Sequence, residues 1–327
     1  MRILVAGGGL GGLAAAVALG GRGHHVLVLE PRPHFLGRAA GVQLTPRTLR
    51  LLGLLGVGEA VRDRSLTIDD LRFMDGVSGD RLARDPLFAW DLDTSTPLAS
   101  AHHLDLYEPL LDACEELDSV SLCPGSEVVD HYQHAESVVV ALADGREITG
   151  DALVLTRERP AVYSTVVPTE LIADLWDADA ATYWVGEDWH VSHYPLPDYR
   201  YVALSAVHHR STGHILADRA DLEQVLAAFP DIGYLARNVL TTGRHWRLSG
   251  ARDHAPMIRR GDRVARVGGA SNRHWPLETA DVEQTLADVA ALATSWDISC
   301  GSVRRWFAGY AAHRDEHAAR VAAMMRF

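Results

Sequence analysis

Lysine is missing from this chain of 327 residues: all 31 basic side chains are arginine, set against 43 acids, for a net charge of −12. The missing lysine reads as compositional bias, alongside heavy use of alanine, glycine and arginine, and carries no functional signal. The charge balance does carry one. An acidic chain with no basic stripe repels phosphate backbones, so nucleic acid is excluded as an expected partner. Cysteine is scarce: Cys114, Cys123 and Cys300 are odd in number and far apart, with no CxxC, which excludes a disulfide framework and a zinc site. No apolar run approaches the ~18 residues of a membrane span. The N-terminus runs straight into a strand-and-glycine pattern, which does not read as a cleaved signal, and the expected location is cytoplasmic. A G-x-S-x-G elbow is also absent, leaving a serine hydrolase of that type unsupported.

Histidine is plentiful, at 17 residues, yet its spacing argues against a metal. His190 and His193 are three apart on a predicted strand, which puts them on opposite faces. His24-His25, His102-His103 and His208-His209 are adjacent pairs that do not readily converge, so no metal site is expected.

What is present starts with a βαβ unit. Ile3 to Ala6 reads as a short strand, Leu10, Leu13, Ala14, Val17 and Ala18 recur at helical spacing, and Val26 to Leu29 reads as a second parallel strand. Thr45 and Pro46 predict a helix start that buries Leu49, Leu52 and Leu55. Leu104 to Leu117 reads as a helix, Val138 to Ile148 as a hairpin turning at Asp144-Gly145, and Ala152 to Leu155 as a strand of the first sheet. From about residue 165 the texture changes to strands rich in aromatics, including Tyr183-Trp184-Val185, Val191 to Pro195 and Tyr201 to Val207. The strand Val264 to Val267 and two helices, from about Asp281 to Leu292 and over Val303 to Met325, close the chain. The expected architecture is α/β: a discontinuous Rossmann-type dinucleotide-binding domain over 1–164 and 251–327, and an inserted sheet-containing substrate domain over 165–250.

Gly7-Gly8-Gly9-Leu10-Gly11-Gly12 satisfies G-x-G-x-x-G between strand and helix. Gly7 permits the tight turn, Gly9 lets a pyrophosphate approach the backbone, and Gly12 lets helix and strand pack closely. The helix N-terminus offers free N–H groups to phosphate. Glu30 ends the second strand, 18 residues beyond Gly12, where an acid accepts hydrogen bonds from an adenosine ribose.

With these residues in view, the chain resembles the FAD-dependent aromatic hydroxylases, the single-component flavoprotein monooxygenases of the salicylate hydroxylase type. The resemblance runs through Ile3 to Leu19, Glu30, Leu36 to Pro46, His102 to Leu106, His193 to Leu196 and Arg263 to Gly268. It implies FAD extended across the first domain, its ring facing a pocket roofed by the second domain's sheet. It also implies cofactor-contacting roles for Arg38 and His103, and a family that continues past Phe327.

The chain departs from that pattern at four places. His103 stands where the family has arginine. The family's Asp-Gly motif falls in Leu155 to Pro160, with Glu158 at the acid and Arg159 at the glycine. Gly268-Gly269 replaces the Gly-Asp pair that holds the ribityl chain. The loop Leu277-Glu278-Thr279-Ala280-Asp281 carries carboxylates where the family has glycines facing the flavin. A like charge ~4 Å away at an effective dielectric of ~20 costs ~4 kcal/mol. Trp275 is bulky enough to fill part of the ring space.

The expectation drawn from these departures is a protein that has left flavin redox chemistry. It would hold no redox-active cofactor, with FAD at most on the adenylate half-site. It would act as a cyclase or isomerase on a bulky apolar or aromatic small molecule, of the kind met in natural-product biosynthesis. Candidate catalytic residues are His193, Tyr194, Glu278 and Asp281; candidate substrate contacts are Trp184, His193, Tyr194 and Trp275. Two alternatives stand beside it: an FAD- and NAD(P)H-dependent monooxygenase hydroxylating an aromatic, and a non-catalytic binding protein. The oligomeric state is left open.

Overall fold

The computed structural model describes residues 1–38, 40–86, 98–156, 162–172, 180–208, 219–249, 262–268 and 279–324. Strands β1 (Arg2–Ala6) and β2 (His25–Leu29) flank helix α1 (Leu10–Gly20); β3 (Gly41–Leu44) leads into α2 (Pro46–Leu54) and α3 (Gly58–Arg62). Strands β4 (Leu66–Ile68), β5 (Asp70–Asp75), β6 (Arg81–Pro86) and β7 (Leu98–His102) precede α4 (His103–Glu115). Next come β8 (Val120–Cys123), β9 (Val128–Gln133), β10 (Val138–Leu142), β11 (Glu147–Gly150) and β12 (Ala152–Thr156). Then follow β13 (Val162–Pro168), β14 (Ala180–Val185), β15 (Trp189–Pro195), β16 (Tyr201–His208) and β17 (Arg219–Ala220). The chain ends through α5 (Leu222–Ala227), α6 (Tyr234–Thr242), β18 (Trp246–Ser249), β19 (Val264–Val267), α7 (Thr279–Asp297) and α8 (Val303–Met324).

Ile3, Leu4 and Val5 are all fully buried, as expected of a central parallel strand covered on both faces. The order β19-β12-β1-β2-β8 is parallel throughout. Helix α1 is nearly all small and apolar and packs against α4 and α7. A β-carbon on Gly20 would meet Val120 at 2.6 Å, so α1 lies close on the sheet. In α2 the Thr45 hydroxyl accepts the Thr48 N–H at 3.1 Å, with Pro46 in the first turn. Leu49 and Leu52 are buried, whereas Leu55 closes the helix half-buried. The hairpin β10–β11 turns at Asp144-Gly145, where Gly145 takes φ +86°.

The second sheet runs β17-β18-β13-β16-β15-β14-β5-β6. Here the boundaries expected from sequence need correction. β5 and β6 come from the segment assigned to the first domain, and β13 begins at Val162. β5 joins by parallel pairing of Asp70 with Ala180, 110 residues on. A parallel contact at that separation has no local sequence signal, so a continuous insert over 165–250 misses it. One face of this sheet packs on α5 and α6 through Trp184, Trp189, Val191, Leu204, Phe229 and Val239. The other meets β3, where a β-carbon on Gly41 would touch Ala203 at 2.3 Å and the Tyr194 ring at 2.9 Å.

Two glycine substitutions separate close approach from spare freedom. A β-carbon at Gly12 would lie 1.9 Å from the Gly7 carbonyl oxygen, whereas one at Gly53 meets nothing within 4 Å. Gly12→Ala is expected to destabilise by about 3 kcal/mol or more. Gly53→Ala, in the last turn of α2, should stabilise by about 0.5 kcal/mol. Urea midpoints of the two variants give the check, and equal midpoints would refute the close approach.

Candidate functional site

The loop between β1 and α1 is built for an anion. Gly7 takes φ +110°, a region that strains any side chain, and its N–H bonds the Leu29 carbonyl at 2.9 Å. Gly9 caps α1 with extended backbone, and its carbonyl accepts the Gly12 and Leu13 N–H groups at 3.0 Å. No side chain caps the helix. The first N–H groups of α1 therefore lack an intrahelical acceptor and carry the positive end of the helix dipole.

Glu30 is buried at the end of β2. One of its oxygens accepts the Gly8 N–H at 2.8 Å and the other the Arg32 N–H at 3.2 Å. A carboxylate has about four acceptor positions, so two remain for ribose hydroxyls. Tyr107, on α4, donates its hydroxyl to the Gly8 carbonyl at 3.0 Å. Burial, and then the charge of Glu30, push the Tyr107 pKa up to about 12, which keeps it a donor. A β-carbon on Gly8 would stand 2.5 Å from Phe35 and 2.8 Å from Glu30. Gly8 and Tyr107 escaped the sequence reading: the motif treats position 8 as free, and Tyr107 meets it across 99 residues.

His103 lies at the start of α4, and its Nδ1 accepts the Arg38 backbone N–H at 3.2 Å. Desolvation, then the charges of Arg38 and Arg32, push its pKa down to about 3. At neutral pH it is thus an uncharged imidazole whose Nε2 carries the proton. It offers one hydrogen bond where the family arginine offers a charge.

The end of β19 is held from below. Gly268, at φ +80°, donates its N–H to Asp288 on α7 at 3.0 Å. Arg314 on α8 approaches the same carboxylate at 3.4 Å and donates to the Arg266 carbonyl at 3.0 Å. Asp281 falls in the first turn of α7. Its side chain, together with Gly269, Trp275 and Glu278, lies outside the described residues, as do Glu158 and Arg159.

In the second sheet the candidate residues separate. Period two places His193 with Trp189 and Val191, and its ring stacks on Trp184 with centroids 6.4 Å apart. Both therefore face α5 and α6, away from Tyr194, and the expectation that Trp184, His193 and Tyr194 line one pocket is corrected. Tyr194 faces β3, and His190 and Ser192 alternate onto that face. Tyr183 joins them from β14, its hydroxyl donating to Gln43 Oε1 at 2.8 Å. Gln43 Nε2 and Ser192 Oγ are buried and without a partner among the described residues. Such orphaned groups in a native site call for an explanation.

Comparison with known proteins adds the following. Residues 1–152 match the FAD binding domain family. The 3-hydroxybenzoate 6-hydroxylase of Klebsiella oxytoca is 29% identical over 98% of this chain and 86% of its own. The enzyme of the same name from Polaromonas naphthalenivorans (strain CJ2) is 30% identical over 78% of this chain and 68% of its own. A salicylate hydroxylase solved as a substrate complex superposes with a TM-score of 0.70 at 21% identity, over 100% of this chain and 87% of that one. These matches overturn the expectation of a cyclase or isomerase without a redox-active cofactor. That expectation leaned on His103, the Leu155 to Pro160 motif and residues at the ring end of the cofactor path, whereas the glycine loop and Glu30 at the adenylate end are intact and fit FAD. Among the described residues, no helix is long and apolar enough to cross a membrane.

Burial gives His193 a measurable signature. Its pKa falls to about 4, through desolvation and then the charge of Arg72. A folded-state value below the unfolded ~6.5 means that the unfolded chain binds the proton first as pH drops. Stability should fall from pH 6.5 toward 4, by about 3 kcal/mol from this residue. Urea unfolding at pH 7.5 and 4.5 should show His193→Leu losing much less stability than the parent. Parallel losses would mean that His193 protonates freely in the fold.

Proposed function

The chain belongs to the FAD-dependent aromatic hydroxylases, and from that premise we propose that it is an FAD- and NAD(P)H-dependent monooxygenase that hydroxylates a small aromatic substrate. The observation that carries this reading is the preset cradle at the β1–α1 loop: bare N–H groups at the helix start, with Glu30 held beside them. FAD, when bound, supplies the hydride acceptor and the activation of dioxygen. In balance, an aromatic C–H, O2, NAD(P)H and a proton yield a phenol, water and NAD(P)+.

The residues of this chain have the remaining tasks. The α1 N-terminus takes the pyrophosphate, and Gly7, Gly9 and Gly12 let it approach. Glu30 accepts ribose hydroxyls, and neutral His103 donates one hydrogen bond near Arg38. The sheet face with Tyr183, Ser192 and Tyr194, opposite Gln43, forms the aromatic-facing wall. The orphaned amide of Gln43 and hydroxyl of Ser192 suit a substrate that carries a phenol or carboxylate oxygen. The substrate's oxygen would then offset the cost of burying them.

The purified chain should carry or take up about one equivalent of FAD, seen as flavin absorption bands. It should also oxidise NAD(P)H faster when 3-hydroxybenzoate, the substrate in the relatives' names, or salicylate is added. Glu30→Ala should weaken FAD binding at least ~10-fold, because charge-assisted hydrogen bonds are worth ~1.5–3 kcal/mol. Ser192→Ala should alter KM for the aromatic and leave flavin content unchanged. A colourless protein that refuses added FAD would sink the reading.

A further inference from the structure

At the β17–β18 end of the second sheet lies an open cleft of about 690 Å³. Arg219, Arg244 and Arg247 line it, with Trp246 in its wall. None of its described lining residues belongs to the elements that form the dinucleotide cradle. Arg219 stands directly opposite Arg247 in the antiparallel pair, an arrangement in which like charges repel. In a chain with 43 acids for 31 arginines, such a pair would ordinarily be neutralised. The carboxylate that lines the cleft, Asp221, is instead engaged as the cap of α5, accepting the Gln224 N–H at 2.8 Å. Among the described residues none of the three arginines has an ion-pair partner.

We propose that this cleft binds a phosphorylated small molecule carrying at least two negative charges. Among the described lining residues, three guanidinium groups against one carboxylate leave a charge of about +2, which a phosphate dianion cancels and a single carboxylate does not. Guanidinium forks match phosphate oxygens two at a time, and arginine keeps its charge at any working pH. The cluster is invisible as a basic stripe in the sequence because Arg219 comes to it from another strand. The cross-strand repulsion is the stability cost of the empty cleft, and the bound anion relieves it. The proposal stands apart from the flavin site.

The probe is sodium pyrophosphate, titrated calorimetrically into the full chain with excess FAD present, so that the glycine loop is already filled. Sodium chloride at matched ionic strength and sodium citrate serve as comparators. Pyrophosphate should saturate one site per chain and raise Tm beyond the chloride control, with citrate weaker. In Arg219→Gln/Arg247→Gln, pyrophosphate affinity should fall at least ~10-fold. The Tm of that variant without ligand should equal or exceed the parent's, because the repulsion is gone. Arg244→Gln serves as the second variant should the double one fail to fold. Several results would overturn the proposal: no saturable binding above chloride, citrate binding as tightly as pyrophosphate, or undiminished affinity in the variants. Binding that appears only without FAD would overturn it too, since it would place the probe at the glycine loop.

Discussion

Both backbone polar groups of Gly8 are spoken for: its N–H by the Glu30 carboxylate and its carbonyl by the Tyr107 hydroxyl. These two bonds join the loop after β1 to the end of β2 and to α4, so three elements far apart in sequence converge on one glycine. The loop's shape is therefore set before any cofactor arrives, and α1 starts at a fixed angle with its N–H groups bare. Preorganisation of this kind means that a bound pyrophosphate meets oriented donors and does not have to order them. Gly12 completes the arrangement from the helix side, pressed so closely on the Gly7 carbonyl that no side chain fits. The acid that would hold a ribose also holds the loop that receives the phosphates. Cofactor affinity and local stability are thus coupled through Glu30.

What could be read in the sequence follows the range of each interaction. Gly7, Gly9, Gly12 and Glu30 were legible because a strand, a turn and a helix within thirty residues impose their spacing. The cap at Thr45 and the turn at Gly145 were legible for the same reason. Tyr107 and Asp288 were not, since each finds its partner through tertiary packing and has no local signature. The β5–β6 hairpin falls inside the stretch 1–164 expected to form the first domain for a related reason: its pairing with β14 is parallel and distant. Adjacent residues such as His193 and Tyr194 show a subtler limit. Alternation alone says they face opposite ways, but only the packing of α5 and α6 decides which of them meets the first domain.

Charge is handled differently in the two halves of the molecule. Near the glycine loop, His103 is kept neutral by burial and by the arginines beside it, so the positive character there comes from Arg38 and Arg32 together with the helix dipole and backbone N–H groups. At the end of β19 the opposite choice is made. Asp288 is buried with Arg314 beside it, and the pair is supported by the Gly268 N–H and by the bond from Gln284 at 2.8 Å. A buried pair of this kind repays its desolvation only when its remaining hydrogen-bonding positions are filled, and here both carboxylate oxygens accept a further donor and Arg314 reaches the Arg266 carbonyl. Its effect is to hold β19, α7 and α8 together.

The second sheet then divides its labour by face. The side against α5 and α6 is an apolar layer with His193 buried in it, where protonation on acidification costs stability. The side toward β3 carries Tyr183, Ser192 and Tyr194 against Gln43, with polar groups still unpaired. An enzyme that must receive a flat ring and orient it by one oxygen needs this combination of aromatic area and a few unfilled donors. Removing the orphans by apolar substitution would make the wall more stable and less discriminating. If this face receives the substrate, the cost of burying the Gln43 amide and the Ser192 hydroxyl is offset when a bound oxygen reaches them.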